Sequence, residues 1–215
     1  LIGEVVRNWS AASVDRFKPW LFALGMVPLV RWFWYGWTDQ LTANPTEFLT
    51  RSSGTWTLVC LLVTLLISPL RELFNQPALI RVRRLCGLVT FFYASLHALA
   101  WAWWDQGFYL RFMWRDVLDR PFITVGVAGF FILAMLAATS SMLAMRKLGK
   151  HWKSLHRLIY LAIALGILHY WWHKAGKNDF SEVSVYAAIA VALLVWRLWR
   201  WLKPETKKVS ASPRV

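Results

Sequence analysis

Residues 155–173 read LHRLIYLAIALGILHYWWH, an apolar run with His156 and Arg157 at one end and His169 near the other. At about 1.5 Å per residue it is long enough to cross most of a hydrocarbon core about 30 Å thick. Ionisable side chains inside such a segment cost free energy and are read as functional. His156 and His169 are thirteen residues apart, about 20 Å on an ideal helix, which sets them in opposite leaflets. A third histidine, His97, lies inside another apolar run, 85–104. Imidazoles that must stay neutral and that occur at two depths point to axial ligation of haem iron, with electrons crossing the bilayer between the two sites.

The rest of the chain supports a membrane setting. Hydrophobic residues make up 58% of the 215 positions, 16 of them Trp, and mean hydropathy is +0.41. That is more apolar surface than a soluble domain of this size buries. The expected fold is an all-α integral membrane protein, a bundle of six transmembrane helices at 20–37, 54–70, 85–104, 122–143, 155–173 and 183–202. Ser68-Pro69 and Pro121 mark the end of the second and the start of the fourth, where proline suits a helix boundary. Residues 1–19 then form an N-terminal segment, 20–202 the transmembrane domain, and 203–215 a polar tail expected to be disordered.

The net charge of +14 is distributed unevenly. Of 25 Lys and Arg, 18 fall in the N-terminal segment, the second-to-third and fourth-to-fifth connections, and the stretch from Arg197 onward. Six lie in the opposite connections, and Arg31 falls inside the first span, where it snorkels to the outer interface. This bias places both termini in the cytoplasm. The charge is a topology signal and a contact for anionic membrane lipid, and it forms no single soluble patch for nucleic acid. No cleavable signal peptide is evident, and without an initial Met the native N-terminus is left open. Cys60 and Cys86 are expected at opposite depths and unpaired. With no C-x-x-C-H, any haem is held without thioether links.

Depth pairs the histidines. His97 lies twelve residues past Leu85 and His169 fourteen past Leu155, both about 18–21 Å from the cytoplasmic edge. They can ligate opposite faces of one haem iron in the outer half, leaving His156 to an inner iron. The inner partner is not evident, because Arg83 and Arg84 stand where it would be. A backbone, solvent, methionine or unusual histidine arrangement is compatible with the sequence, and so is the absence of an inner haem. On one ideal helix His156 and His169 would also lie about 140° apart, off a common face. Each polar residue has a plainer reading too. A buried histidine can simply bond a carbonyl, and His173 lies in the aromatic belt 170–173. His151 reads as a solvated loop residue and Met135 as core packing. Arg157 belongs to the basic loop or contacts a haem propionate, a flavin or a quinone.

Residues 148–160, LGKHWKSLHRLIY, followed by Leu168-His169-Tyr170, resemble the ferric-reductase-like transmembrane family. Within it, Asn44-Pro45, RSSGTW at 51–56, ISPL at 67–70 and RVRRLCGL at 81–88 closely resemble haem-binding membrane subunits of bacterial periplasmic protein-methionine-sulfoxide reductase systems. The resemblance runs from the first span to the sixth. It implies a b-type cytochrome of the bacterial inner membrane, with one or two haem b groups, that takes electrons from the quinone pool or a cytoplasmic flavin reductase. The implied recipient is a periplasmic molybdenum-containing subunit that reduces methionine sulfoxide in oxidised proteins. The family's histidines carry over to His97, His156 and His169. FMN is also associated with the family, although no residue here matches a flavin site.

Ferric reductases carry a flavin and nicotinamide domain after the last span, whereas this chain runs thirteen residues past Leu202 without a G-x-G-x-x-G. It is expected not to oxidise NAD(P)H unaided, and with no catalytic triad or carboxylate pair the substrate chemistry is expected on a partner. The longest outward connection, 105–121, carries Tyr109, Arg111, Trp114 and Arg115, suited either to transient docking or to anchoring at the membrane interface. Two further readings compete: a haem-free transporter or assembly factor with a histidine proton relay, and a quinol-oxidising cytochrome with another outer acceptor.

Overall fold

The computed structural model describes residues 9–176 and 178–202. The first eight residues and the polar tail from 203 onward, with the disorder expected of it, lie outside the described residues. Among those described the chain is helical, without a strand. It runs α1 (Ala11–Trp37), α2 (Pro45–Leu73), α3 (Arg83–Ala100), α4 (Leu110–Asp119), α5 (Pro121–Ala138), α6 (Met142–Leu148), α7 (Lys150–His156), α8 (Ile159–Ala175) and α9 (Ser181–Leu202). A 3₁₀ turn, Pro77–Val82, leads into α3, and a π-helical turn, Trp101–Asp105, follows it. Four described stretches are long and apolar enough to cross a membrane: Pro45–Leu73, Pro77–Asp105, Pro121–Ala138 and Ser181–Leu202.

The boundaries follow local chemistry. Asn44 caps α2 by accepting from Glu47 N at 3.2 Å, with Pro45 in the first turn, so α2 starts nine residues before the expected Gly54. It also passes through Pro69 to Leu73, and that proline lies inside the helix instead of ending it. The expected run 122–143 is cut at Ala138, because three successive hydroxyls compete for backbone groups. Thr139 Oγ1 donates to Met135 O and Ser140 Oγ to Ala137 O, each at 2.7 Å, and Ser141 caps α6.

The run 155–173 is likewise not one helix. It breaks at Arg157-Leu158 between α7 and α8. The physical reason lies in Trp152, whose indole Nε1 donates to Thr139 O at 2.9 Å and whose ring stacks on His156 at 4.0 Å. This ties α7 to the end of α5, and the chain turns before α8 can start. His156 and His169 therefore occupy different helices, and the 20 Å and 140° inferred from a single helix do not apply. The connection 105–121 is mostly helix, since α4 fills it.

One apolar core joins α2, α3, α5, α8 and α9 through Leu58, Leu65, Ala94, Leu133, Ile163 and Leu193 among others. In lipid, apolar burial alone does not drive helices together, so close packing and interhelical hydrogen bonds carry the association. α1 illustrates this. Tyr93 Oη donates to Gly25 O at 2.6 Å and Trp32 Nε1 to Ser52 Oγ at 3.0 Å, while Trp20, Phe33 and Trp37 of α1 are exposed. Exposed aromatics on a helix fastened by polar contacts from its other side suit a lipid-facing surface. The expected helical membrane protein is thus observed, and both described cysteines are free.

Candidate functional site

α3 and α8 bring His97 and His169 together. Their ring centroids are 6.0 Å apart with an interplanar angle of 77°. His97 Nδ1 donates to Thr50 O at 2.9 Å, and His169 Nδ1 to Phe122 O at 2.7 Å. A carbonyl oxygen only accepts, so each contact selects the tautomer protonated at Nδ1 and leaves the Nε2 lone pair for a ligand. The same second-nitrogen bond orients metal-ligating histidines in general. Two imidazoles opposed across one metal ion, with metal–nitrogen bonds of about 2.0–2.1 Å, have centroids just over about 6 Å apart.

Two glycines make room for the rings. A Cβ on Gly126 would lie 2.7 Å from His169 Nδ1, and one on Gly54 would lie 3.0 Å from His97 Cε1. A side chain at Gly126 therefore forces the His169 ring to move, and one at Gly54 crowds His97 by a few tenths of an ångström. The rings border a cavity of about 1410 Å³ reaching from α2 to α8, above the usual range of about 300–1,000 Å³ for small-molecule sites. The Phe122 ring lies 5.9 Å from that of His169 and 5.7 Å from that of His173.

Every lysine or arginine lining this cavity is matched to an acid. Arg51 pairs with Glu47, Arg120 Nε with Asp116 at 2.9 Å, and Lys174 Nζ with Asp179 at 3.2 Å and Glu182 at 3.8 Å. The Ser181 hydroxyl and then the Lys174 ammonium hold the Asp179 carboxyl below its ordinary range. Asp116, buried on α4, also accepts from Trp101 Nε1 at 3.0 Å and Gln106 Nε2 at 2.9 Å. The π-helical turn brings Trp101 and Gln106 to it. That network holds Met113 and Val117 of α4 against the cavity, while Leu110 and Trp114 at its edge and Leu118 beyond it form an exposed apolar stripe. Of the two readings of 105–121, this apolar stripe favours interfacial anchoring.

The remaining expected residues are dispersed. His156 ends α7, with Nδ1 3.2 Å from Trp152 O, and no second described histidine opposes it. His151 is exposed on the same short helix, Arg157 is exposed in the break, and Arg31 sits 5.3 Å from the Tyr35 ring centroid. Met135 is 38% exposed and so is not core. His173 faces the cavity beside Phe122. Thr50, Phe122, Gly54 and Gly126 were not singled out as functional from sequence. Thr50 and Phe122 orient the histidines through backbone carbonyls, which leave no side-chain signature, and the Phe122 ring beside them reads in sequence as one more apolar residue. Gly126 was detectable only as a glycine inside an apolar helix, a usual mark of close approach.

The described residues form a helical membrane protein in which α3 and α8 bring together two histidines, each bonded through Nδ1 to a backbone carbonyl. The family profile described as "Ferric reductase like transmembrane component" matches residues 53–167. The chain is 59% identical over 192 residues to the protein-methionine-sulfoxide reductase heme-binding subunit MsrQ of Bordetella pertussis, covering 89% of this chain and 93% of that protein. It is 53% identical over 189 residues to MsrQ of Ralstonia nicotianae, 86% of each chain, and 42% identical over 212 residues to MsrQ of Xanthomonas campestris pv. campestris, 94% and 96% of the two chains. The chain belongs to the ferric-reductase-like transmembrane family and, within it, to the MsrQ proteins.

Proposed function

We propose that this protein is a b-type cytochrome subunit that conducts electrons across the bacterial inner membrane to a periplasmic molybdenum-dependent protein-methionine-sulfoxide reductase. A haem b would be held between His97 and His169. The observation that carries this reading is the 6.0 Å separation of two imidazoles whose Nδ1 atoms are both committed to carbonyls. The residues present fit the group: two neighbouring imidazoles whose Nδ1 atoms are both taken by carbonyls, glycines in place of any Cβ against the rings, and a largely apolar cavity. The haem would supply reversible one-electron exchange.

The protein's own part is positional. Thr50 and Phe122 carbonyls hold the rings and set their tautomers, and Gly54 and Gly126 keep the space open. Arg51, Arg120 and Lys174 present charge-assisted donors at the rim for anionic substituents. α4 covers the cavity and limits water. The proposed topology is six spans, adding α1 and α8 to the four long apolar stretches, with both termini in the cytoplasm and the histidine pair toward the outer face. The transmembrane domain is then 20–202. Electrons would arrive on the cytoplasmic side from quinol or a flavin reductase. His156, proposed from the sequence as an inner ligand, has no opposing imidazole among the described residues, so the residues do not fit a second bis-histidine haem and one haem per chain is the proposed count.

The test is a dithionite-reduced minus oxidised absorption spectrum of purified protein, with haem counted by pyridine haemochrome. A low-spin b-type spectrum at one haem per chain is expected. With insertion and haem supply verified, a featureless spectrum overturns the proposal.

A further inference from the structure

We infer that the end of the bundle remote from the histidine pair carries a binding site for a phosphate-class anion, built on Arg83 and backed by Arg197. Arg83 opens α3 fourteen residues before His97, about 21 Å along the helix axis. Arg197, on α9, turns its guanidinium into the bundle. Nη1 donates to Tyr160 Oη at 2.8 Å, Nη2 donates to Leu65 O at 2.7 Å, and Cζ lies 5.1 Å from the Tyr160 ring centroid. Its Nε is buried without a partner. Arg83, half-buried, lies close to Tyr160 and Arg197 at this end, with Arg71 and His156 also near.

Among the described residues this cluster is given no carboxylate partner. The described carboxylates at this end are committed elsewhere: Asp15 to Lys18 at 2.7 Å and Arg81 at 2.6 Å, and Glu72 to Arg200 at 2.7 Å. A phenol and a carbonyl satisfy guanidinium hydrogen bonds but cancel no charge. Two neighbouring, partly desolvated cations without a counter-ion are unfavourable unless something anionic joins them. The orphaned Nε shows that the described residues leave one guanidinium donor without an acceptor here. Guanidinium forks match the oxygens of phosphate, and basic pockets between spans on the cytoplasmic side are suited to lipid head groups. Half-exposed Arg83 is the contacting cation, and enclosed Arg197 sets the field behind it. The ligand chemistry is a phosphate ester, from an anionic phospholipid or a soluble phosphate. The site shares no residue with the histidine pair, so it stands or falls independently of it.

The experiment is native mass spectrometry of the delipidated full chain titrated with phosphatidylglycerol, phosphatidylcholine or inorganic phosphate. One bound phosphatidylglycerol per chain is expected, retained about tenfold better than phosphatidylcholine. Arg83→Gln should abolish that preference, and Arg111→Gln, on α4, should keep it. Arg83 is half exposed, so its glutamine variant is expected to keep the helical circular dichroism of the parent. Phosphatidylglycerol retention that inorganic phosphate does not displace assigns the site to lipid. Saturable binding of inorganic phosphate, lost in Arg83→Gln, assigns it to a soluble phosphate. Equal retention of both lipids with no phosphate binding, or a preference unchanged in Arg83→Gln, overturns the inference.

Discussion

The two ends of this bundle treat charge in opposite ways. Around the histidine pair, each cation lining the cavity has an acid, the imidazoles are tied to carbonyls, and a space of about 1410 Å³ is held open. At the other end, Arg83 and Arg197 gather near Tyr160 with no carboxylate partner among the described residues, and Arg197 Nε is buried without an acceptor. An ionic balance that closes within the protein leaves a ligand to be held chiefly by shape and a metal's coordination, with the paired cations adding hydrogen bonds to its anionic substituents. One that does not close asks for an anion. The difference argues against a bundle with equivalent haem sites at both depths and in favour of one ligation site and one electrostatic site.

The comparison is broken most directly at the histidines. His97→Ala or His169→Ala should each lower bound haem at least about tenfold and remove the low-spin signal, because loss of either axial ligand leaves the iron with one face open. His156→Ala should leave that signal in place and cost only about 1 kcal/mol of thermal stability through its stacking on Trp152. Equal haem loss in all three would show that the two ends are not distinct in this way.

A smaller and graded effect is expected at the glycines. Gly126→Ala places a Cβ 2.7 Å from His169 Nδ1, which is itself pinned 2.7 Å from Phe122 O, whereas Gly54→Ala meets His97 at 3.0 Å. Haem occupancy should fall several-fold in the first and less in the second, read from Soret absorbance per chain. The reverse order would mean that the rings are not held as described.

The smallest effect belongs to a surface pair at the arginine end. Hydrogen bonds from Arg81 and then Lys18 hold the Asp15 carboxyl down from 3.8 to about 2. A lowered pKa means that this contribution is complete above the unfolded value of 3.8 and is lost as pH falls through about 2. The pair is exposed and screened. Asp15→Asn should therefore barely move the neutral-pH melting temperature and should remove only the part of the acid-limb slope that depends on low salt. A large loss at neutral pH would assign Asp15 a counter-ion role for the buried arginines.

Much of this was legible in the residues themselves. Hydrophobic run length and the 16 tryptophans required a helical membrane protein, because apolar segments of that length are stable only in lipid. The pairing of His97 with His169 is read from near-equal depths, and the two do come together, although the count from Leu155 assumes one helix where the chain breaks at Arg157-Leu158. Tertiary structure alone decided the rest. The hydroxyls at 139–141 and the Trp152 bond to Thr139 O broke two apolar runs that hydropathy reads as continuous. Carbonyls of Thr50 and Phe122 selected the imidazole tautomers, and backbone atoms write nothing into side-chain identity. Arg197, which by sequence is one more positive charge after the last span, turns inward to Tyr160 and Leu65. Where a long side chain points depends on what the other helices offer it, and that is known only once they have packed.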